Sequence, residues 1–444
     1  MEKDISVAHL SDALKGMNIQ EITIEMTALI RSGALEIGAK LPSVRSLAEE
    51  LGMSPASISS VWSTLKKNHL ISGSGRNGVW VSGDNPAPRP MRFENVGNFG
   101  KKTKVDLTYA SPDPLLLPPL SQALLHATQS KDLNSYRREF ITPELKRAVQ
   151  SHWPYEAEEW MATNGGFDAL QATISALIQP GTWIAVEDPT TARLLDLIEN
   201  LGARVVPVEC DEQGPLPNSL AQALTHKLAG FVYQPRVHSV TGCCVSASRL
   251  AELTPLLAEV PLVIEDDGIG GIATTPALTF GQYYPEKVVH IRTYSKSLGP
   301  DLRLAVLSAP KHLAKSIQAY RNFGASWTSR LLQNAAAYLL SDPEVSAHLE
   351  QTKQTYLQRR AWLTDALTAR NIPYVGEAGL SVWIPVPSEQ FALVTLAIHG
   401  YAVFPGNRFM KKLATPHIRV ATSQLTPTMI EDLVSTIEMC FDIQ

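Results

Sequence analysis

The stretch TYSKSLGPDLRLA, residues 293–305, decides how most of this chain is interpreted. It follows an apolar run typical of a buried β-strand, so Lys296 stands just beyond a strand end. Thr293 and Ser295 flank the lysine, and Arg303 follows seven residues after it. A lysine amine can bond to an aldehyde, while hydroxyls and a guanidinium hold a phosphate dianion. The stretch therefore favours an aldehyde cofactor that carries a phosphate, and a solvated surface lysine is the alternative.

Outward from this stretch, short apolar runs alternate with segments of helical periodicity. This alternation indicates a mostly parallel sheet with helices on both faces, so we predict an α/β domain over residues 107–444. Its last part, from about residue 345, begins with long helical patterns and is predicted to be a smaller α+β lobe. The predicted strands are WIAVE (183–187), RVVPV (204–208), AGFVY (229–233), LVIED (262–266), VVHIRT (288–293) and RLAVLS (303–308).

Three further features favour a ligand site over a surface lysine. Asn164, Gly165 and Gly166 begin a predicted helix, where backbone N–H groups and the helix dipole attract anions. The strand LVIED ends in acids at the carboxyl edge of the sheet, where a carboxylate could pair with a pyridinium nitrogen; an exposed acidic turn is the alternative. Arg419 lies in a short predicted strand and suits a bidentate clasp on a carboxylate.

Residues 1–82 are predicted to form a separate unit with three amphipathic helices. Ser54 is the predicted N-cap of the third helix and Pro55 its first residue, while Gly52 ends the helix before it. The short turn between them is typical of a helix-turn-helix, although a three-helix dimerisation module is the alternative. A hairpin with a glycine-rich tip follows. The residues predicted to contact DNA are Arg45, Ser54, Ser57 and Arg76.

The charge distribution divides the chain in the same place. The whole chain carries a net charge of −4, which by itself argues against a nucleic-acid partner. Residues 1–82 are neutral, however, residues 83–104 carry +3 and residues 105–444 carry −7. Residues 83–106 hold three closely spaced prolines and no sustained apolar period, so we predict a linker there. An acidic large domain therefore masks a locally basic amino-terminal part.

The rest of the composition narrows the class of protein. With 44% hydrophobic and 18% charged residues, the chain is not mostly disordered. It starts without the apolar segment of a signal peptide, and no run approaches the ~18 apolar residues of a membrane span. The four cysteines form neither a disulfide framework nor a spaced metal pattern. We therefore expect a cytoplasmic protein without a bound metal or a membrane partner.

Two family resemblances follow from these motifs. The run LPSVRSLAEELGMSPASI (41–58) closely resembles the winged helix-turn-helix of GntR-type bacterial repressors, and that resemblance extends over residues 19–81. The order of glycine pair, acidic strand end, lysine and two arginines resembles the fold-type I aminotransferases, which depend on pyridoxal 5'-phosphate, over residues 107–444. Together the two parts resemble the MocR subfamily of bacterial transcriptional regulators.

The resemblance implies a role for each residue of the site. Lys296 would be the Schiff-base lysine, Asp266 the partner of the pyridine nitrogen, and Arg303 the main phosphate ligand. Arg419 would bind the carboxylate of an effector. The other implied cofactor contacts are Asn164, Gly165, Gly166, Thr293, Ser295, His238 and, from the neighbouring subunit of a homodimer, Tyr136.

Four positions depart from the family pattern. Gly268 replaces a tyrosine that hydrogen-bonds the phenolic oxygen of the cofactor, and Thr191 replaces an aromatic residue that stacks on its ring. His238 stands where Gln or Asn is common near the same oxygen. Stacking is worth about 1 kcal/mol, so either His238 or an aromatic such as Phe167 compensates, or the cofactor is held more weakly. Pro55 replaces an arginine of the DNA-binding module, so the family's base preference does not transfer.

The leading prediction is a bacterial transcriptional regulator that binds promoter DNA through residues 19–82. Residues 107–444 would sense pyridoxal phosphate, or a small amino compound that reacts with it, and the resemblance associates this with vitamin B6 or amino-compound metabolism. One alternative is an active aminotransferase with a vestigial DNA-binding module, although Gly268 and Thr191 argue that turnover would be slow. Another is a large domain that has lost the cofactor and serves only for dimerisation.

Overall fold

A computed structural model describes residues 5–31, 33–73, 78–83, 89–94, 103–412 and 415–441. The chain divides into two compact units. The first comprises Met1–Met91 with the short segments Gln179–Trp183 and Asp196–Val205, and the second comprises the remainder. Within the described ranges, no helix combines the length and apolar character needed to cross a membrane.

The amino-terminal part of the first unit is a winged helix-turn-helix. Its three short strands form an antiparallel sheet in the order β1-β3-β2, with Leu41 opposite Val79 and Ile71 opposite Val81. The first helix was not among the three predicted ones. The elements are α1 (Val7–Leu14), α2 (Ile19–Arg31), β1 (Lys40–Leu41), α3 (Val44–Leu51), α4 (Pro55–Lys67), β2 (Ile71–Ser72) and β3 (Val79–Val81).

Local signals fix the turn between α3 and α4. Gly52 adopts a left-handed conformation with φ of 65° at the end of α3, which a residue with a side chain rarely does. Ser54 then caps α4, its Oγ accepting a hydrogen bond from the backbone N–H of Ser57 at 3.1 Å, and Pro55 follows as the first helical residue. The predicted helix boundaries are confirmed here.

The apolar stripes of the predicted helices meet in one core. Ile22, Met26, Leu47, Ile58 and Leu65 are all fully buried. Burial of each such side chain contributes roughly 1.5–3 kcal/mol relative to exposure. The core therefore holds α4 rigidly against α2 and α3, with its polar face outward.

The second unit contains two sheets and most of the helices. A four-residue helix, α5 (Met91–Glu94), precedes it. Its elements are β4 (Val105–Leu107), α6 (Ser121–Ala127), α7 (Pro143–Gln150), β5 (Glu159–Thr163), α8 (Gly166–Leu177), β6 (Trp183–Asp188), α9 (Ala192–Leu201), β7 (Arg204–Asp211), β8 (Gly214–Pro215), α10 (Pro217–Ala223), β9 (Leu228–Tyr233), α11 (Ala247–Leu257), β10 (Val263–Asp267), β11 (Val288–Thr293), β12 (Ala305–Ala309), α12 (Lys311–Arg321), α13 (Arg330–Ser341), α14 (Pro343–Ala369), β13 (Ser381–Pro385), α15 (Glu389–Ile398), β14 (Tyr401–Pro405), β15 (His417–Ala421) and α16 (Pro427–Met439).

The larger sheet has eight strands in the order β5-β12-β11-β10-β9-β6-β7-β8. All six predicted strands belong to it. The pairs β9–β10 and β10–β11 are parallel, but β12 runs antiparallel to both β11 and β5, so the sheet is mixed. The strand predicted at residues 303–308 begins only at Ala305, because Arg303 adopts a left-handed conformation with φ of 45° after a 3₁₀ turn.

The carboxyl-terminal lobe is the predicted α+β unit. Its sheet has the order β13-β15-β14-β4, and β4 pairs parallel with β14. Leu107 of β4 is buried in the core of this lobe with residues such as Leu363 and Val420. Both α5 and the first two residues of β4 fall within residues 83–106, the predicted linker.

Candidate functional site

The DNA-binding prediction rests on the turn before α4 and on the residues around it. Arg45, the second residue of α3, and Ser54 are exposed, and Ser57 is half-buried. Ser54 Oγ lies 2.9 Å from Ser57 Oγ in addition to capping the helix, so part of the hydrogen-bonding capacity of both hydroxyls is used within the protein. Arg76 lies outside the described residues. The DNA contacts of all four stay a prediction.

The glycine pair lies at the start of α8, as predicted. Gly165 has φ of 99° and is followed by Gly166, the first helical residue, whose N–H group has no acceptor within the helix. The Asn164 amide instead donates to Asp168 Oδ2 at 2.9 Å. The backbone of Gly165 and Gly166 is therefore better placed than that of Asn164 to bind an anion.

The two glycines also permit close approach by the predicted phosphate ligands. A Cβ atom at Gly165 would lie 3.0 Å from Arg303 Nη2, and one at Gly166 would lie 3.1 Å from Thr293 Cβ. Arg303 Nη2 donates to the Asn164 carbonyl at 3.0 Å, and Thr293 Oγ1 lies 3.2 Å from Ser295 Oγ. We name this group the anion cradle: Gly165, Gly166, Thr293, Ser295 and Arg303.

A second guanidinium near the anion cradle was missed from the sequence. Arg193 in α9 lies over the ring of Phe167 at 3.7 Å and over that of Phe93 in α5 at 4.8 Å. Burial and then the charge of Arg303 lower the pKa of Arg193. Nothing in the sequence around Arg193 distinguishes it from a surface arginine, so only the fold shows that it shares an electrostatic environment with Arg303.

Lys296 lies in the segment between β11 and β12. Its Nζ donates to the Ala110 carbonyl at 2.6 Å. Burial and then the charge of Arg419 lower the pKa of Lys296 to about 8. The lowered pKa therefore enlarges the uncharged fraction of the amine near neutral pH, which is the form that attacks a carbonyl carbon.

Arg419 comes from β15, far along the chain, and its charge nevertheless acts on Lys296. The guanidinium is packed over the rings of Phe404 and Phe409, at 4.9 and 4.6 Å, and Nη2 donates to the Thr108 carbonyl at 2.7 Å. Burial lowers its pKa to about 10. Within the described chain, no carboxylate forms an ion pair with it. Arg419 is thus a buried cation able to accept an external carboxylate.

At the end of β10, Asp266 points to one face of the sheet, and its neighbours Glu265 and Asp267 point to the other, as alternate residues of a strand must. Glu265 accepts hydrogen bonds from Tyr233, Thr279 and the Phe280 amide, at 2.6 to 2.7 Å, and lies 2.7 Å from His290 Nδ1. Asp267 forms ion pairs with two arginines, through Arg292 Nε at 2.8 Å and Arg236 Nη2 at 3.1 Å. Burial alone would raise the pKa of Asp267, but the two guanidiniums hold this pKa below its usual value.

Asp266, between them, has the opposite surroundings. No side chain or amide of the described residues donates to its carboxylate, and burial with the neighbouring Asp267 charge raises its pKa to about 7. A carboxylate held without a cation is costly unless a cation arrives from elsewhere. Asp266 therefore fits the predicted partner of a pyridinium nitrogen.

His238 follows β9 and faces the end of β6. Its Nε2 lies 3.7 Å from Glu187 Oε2, and burial lowers the pKa of the imidazole to about 4. Burial raises the pKa of Glu187 well above its usual value, and the charge of Asp266 adds to this. His238, Glu187 and Asp266 therefore share one edge of the sheet.

The departures from the family pattern can also be located. A Cβ atom at Gly268 would meet only the Asp266 carboxylate, at 3.8 Å, so the space directly beside this glycine is open among the described residues. Thr191 precedes α9, and one face of Phe167 is covered by Arg193. Tyr136 is 88% exposed and packs edge-on against Trp327. Its predicted role toward a partner subunit stays a prediction.

The chain as a whole resembles known proteins in both of its parts. Residues 18–81 match the family described as bacterial regulatory proteins, gntR family, and residues 102–437 match aminotransferase class I and II. The fold of the second part is similar to LysN, an α-aminoadipate aminotransferase from Thermus thermophilus, with a TM-score of 0.69, 21% identity, and coverage of 77% of this chain and 92% of that one.

Relatives that span both parts are regulators by name. The vitamin B6 salvage pathway transcriptional repressor PtsJ of Salmonella typhimurium is 30% identical over 436 residues, which cover 97% of this chain and 100% of that protein. The HTH-type transcriptional regulator TauR of Rhodobacter capsulatus is 25% identical over 469 residues, 93% of this chain and 94% of that protein.

Proposed function

The chain belongs to the aminotransferase class I and II family and, through its GntR-type module, to the MocR subfamily of bacterial transcriptional regulators, and we propose that it senses pyridoxal phosphate or a small amino compound that reacts with it. It is a transcriptional regulator with a DNA-binding module and an aminotransferase-like part. The proposal concerns the signal that this second part detects.

One observation carries the proposal: a half-buried amine and a half-buried carboxylate without a cation lie at the same sheet edge as an anion cradle. Lys296 has a pKa of about 8 and Asp266 of about 7, and both values result mainly from burial. Shifts of this kind are expensive for folding, so they are typical of sites that bind a ligand. Aldehyde, pyridine nitrogen and phosphate are the three groups that this set of residues would recognise.

Pyridoxal phosphate, the cofactor of the aminotransferase class I and II family, would meet each of these residues with a matching group. When bound, it supplies an aldehyde that reacts with amines and a ring that accepts electrons. The anion cradle would hold the phosphate, Asp266 would hold the pyridinium, and the uncharged Lys296 amine would hold the group at its aldehyde carbon, with the aldehyde oxygen released as water. Arg193 would add positive potential at the phosphate end.

The effector would carry a carboxylate as well as an amine if Arg419 is used. Arg419 lies close enough to affect the pKa of Lys296, so the two groups could hold the two ends of one amino acid. The name of PtsJ ties that relative to vitamin B6 salvage. By this likeness we propose vitamin B6 or amino-compound metabolism as the regulated process.

The functional form would be a homodimer on promoter DNA in the bacterial cytoplasm. Dimerisation is supported by large apolar side chains on the surface of the second unit, among them Leu115, Tyr136 and Phe323, which are 89%, 88% and 93% exposed. Tyr136 would then reach the phosphate of the neighbouring subunit. Signal transfer would consist of a ligand-dependent change in affinity for DNA.

Titration of the purified protein with pyridoxal phosphate tests the proposal. The wild type should develop a visible absorption band, which Lys296→Ala should lose entirely because the reacting amine is absent. Lys315→Ala, at an exposed position of α12, is the matched control and should keep the band. In parallel, binding to DNA fragments upstream of the chain's own gene and its neighbours should change with the cofactor in the wild type only.

A wild-type protein that gains no band at saturating cofactor would refute the sensor proposal and leave dimerisation as the role of the second unit. Steady-state amino transfer at ordinary enzymatic rates, without binding to any DNA fragment at low salt, would instead favour the aminotransferase alternative. That alternative is supported by the retention of Lys296, Asp266 and Arg419.

A further inference from the structure

Phe93, in the short helix α5, contacts the arginine that stands beside the anion cradle. The guanidinium carbon of Arg193 lies 4.8 Å from the centroid of the Phe93 ring. The same guanidinium lies over the ring of Phe167, at 3.7 Å. Phe167 is the second residue of α8, directly after the two glycines of the cradle. Two aromatic rings therefore hold Arg193 next to the proposed phosphate position.

A second contact of Phe93 leads toward the proposed carboxylate position. Its ring packs edge-on against that of Tyr109, with the centroids 6.4 Å apart, and Tyr109 packs edge-on against Phe404 at 6.2 Å. The guanidinium of Arg419 lies over Phe404 at 4.9 Å. The carbonyls of the two chain neighbours of Tyr109 accept hydrogen bonds from Arg419 and Lys296. Phe93 is thus connected by packed rings to the groups proposed to bind both ends of an effector.

The hold on Arg193 is one that an anion can break. Within the described chain, no carboxylate forms an ion pair with Arg193, and the charge that acts on its guanidinium is the like charge of Arg303. A contact between a guanidinium and a ring is weaker than a hydrogen-bonded pair of guanidinium and phosphate. A phosphate dianion beside Arg303 would therefore compete with the ring of Phe93 for the Arg193 side chain.

The place of α5 in the chain gives this competition a consequence. The helix follows β3, the last strand of the DNA-binding module, and precedes β4, the first strand of the second unit. The ring of Phe93 is half-buried by its contacts, so they restrain the connection between the two parts of the chain. Loss of the contact with Arg193 would change how firmly this connection is held.

We propose that Phe93 is a positioning residue that reports occupancy of the anion cradle to the DNA-binding module: it holds Arg193 until a phosphate draws the guanidinium off its ring and releases α5. The inference rests on the proposed function, because the phosphate is that of pyridoxal phosphate. Since separating Phe93 from Arg193 opposes cofactor binding, the cofactor and the closed position of α5 must weaken each other by the same factor.

Phe93→Ala should reproduce the effect of the cofactor. Without cofactor, its affinity for the DNA fragment that the wild type binds should equal that of the cofactor-loaded wild type, and added pyridoxal phosphate should then change it by less than about twofold. The variant should also bind the cofactor about threefold more tightly, because one contact between a cation and a ring no longer has to be broken. Phe93→Tyr keeps the ring and should behave as the wild type does.

Two controls accompany this variant. Phe391→Ala makes the same change at an exposed position of α15 and should leave both affinities at their wild-type values. In an Arg193→Ala background, Phe93→Ala should alter neither affinity, because the contact is already absent. Absorbance measures cofactor binding, a labelled DNA fragment measures DNA binding, and thermal unfolding checks that each variant is folded.

The inference is wrong if folded Phe93→Ala keeps the wild-type DNA response to the cofactor, or if Phe391→Ala changes the response equally. Weaker cofactor binding in Phe93→Ala would also overturn it, because the ring would then only support the site. Equal effects of Phe93→Ala with and without Arg193 would show that the signal does not pass through that guanidinium. A wild type without a visible band, or with a DNA affinity that the cofactor does not change, refutes the proposed function instead.

Discussion

The DNA-binding module and the aminotransferase-like unit hold their proposed functional side chains in opposite environments. Arg45 and Ser54 are exposed on a helix pair whose rigidity comes from an apolar core. Arg419 is instead buried and Lys296 and Asp266 are half-buried, and desolvation shifts the pKa of each. A long polyanion needs only correctly spaced surface groups. A small ligand must be met by groups that are already desolvated, at a cost to the ligand-free fold.

This contrast appears on a smaller scale within β10. Asp267 is a buried carboxylate with two arginine partners, and it belongs to the fold. Asp266 is a half-buried carboxylate without such a partner, and we propose that it serves a ligand. The predictions below test this division, from the largest expected effect to the smallest.

Asp267→Asn should lower the free energy of unfolding by roughly 3–5 kcal/mol, because Arg292 and Arg236 would stay buried without their countercharge. Asp266→Asn makes the same chemical change one residue earlier and should cause no comparable loss, since no cation depends on it. Denaturant unfolding of both cofactor-free variants at neutral pH gives the measurement. Similar losses in the two variants would contradict the division.

The pH dependence of stability should show the cost of Asp266 directly. Its carboxyl has a folded-state pKa of about 7, above the unfolded value of about 4, so its contribution to stability is complete only below pH 4 and is lost as the pH rises through 7. Asp266→Asn should therefore match the wild type near pH 4 and melt at a higher temperature near pH 8. A constant difference in melting temperature across that range would argue that Asp266 is an ordinary surface carboxylate.

On the DNA-binding side, Arg45→Ala should weaken binding and reduce the slope of log affinity against log salt by about 1, as the loss of one phosphate contact does. The visible band with pyridoxal phosphate should be unaffected. Lys15→Ala removes an exposed positive charge at the end of α1 and serves as the control. If both variants had the same salt slope, Arg45 would contribute to DNA binding only through the overall positive charge of the module.

The smallest expected effect concerns the N-cap of α4. Ser54→Ala removes the acceptor of the Ser57 amide and should cost about 1 kcal/mol of stability in the first unit. Ser59→Ala, inside the same helix and exposed, should be neutral or slightly stabilising because alanine has the higher helix propensity. Thermal unfolding measures the difference in stability between the two variants. If the Ser54→Ala protein is stable but still fails to bind DNA, the Ser54 hydroxyl acts on the nucleic acid as well.

Much of the fold could be predicted because its signals are local. Gly52, Ser54 and Pro55 mark two helix ends by their own backbone preferences, and apolar runs mark the six strands. The antiparallel direction of β12 could not be predicted, since strand direction depends on the connection and not on the apolar pattern. The helix α1 was also missed, because it lacks such end signals: the Ser6 side chain makes no capping hydrogen bond and Lys15, not glycine, follows the last turn.

The site was predictable only in part, for a different reason. Lys296 and Asp266 stand at strand ends, and the resemblance to a family of known chemistry supplied their roles. Arg193 has no such marker, and its place near Arg303 follows from the packing of α9. The His238 ring is likewise held by hydrogen bonds from the Val240 and Thr241 amides to Nδ1, which no sequence pattern reveals.

The alternation along β10 also constrains how this gene can change. Each side chain of residues 265–267 is used on one face of the sheet, so a deletion or insertion of a single codon upstream in the strand would exchange the faces. The carboxylate proposed for a ligand would then meet the arginines, and the one that neutralises the arginines would face the proposed cofactor site. The length of this strand between the buried run and Asp266 therefore cannot drift.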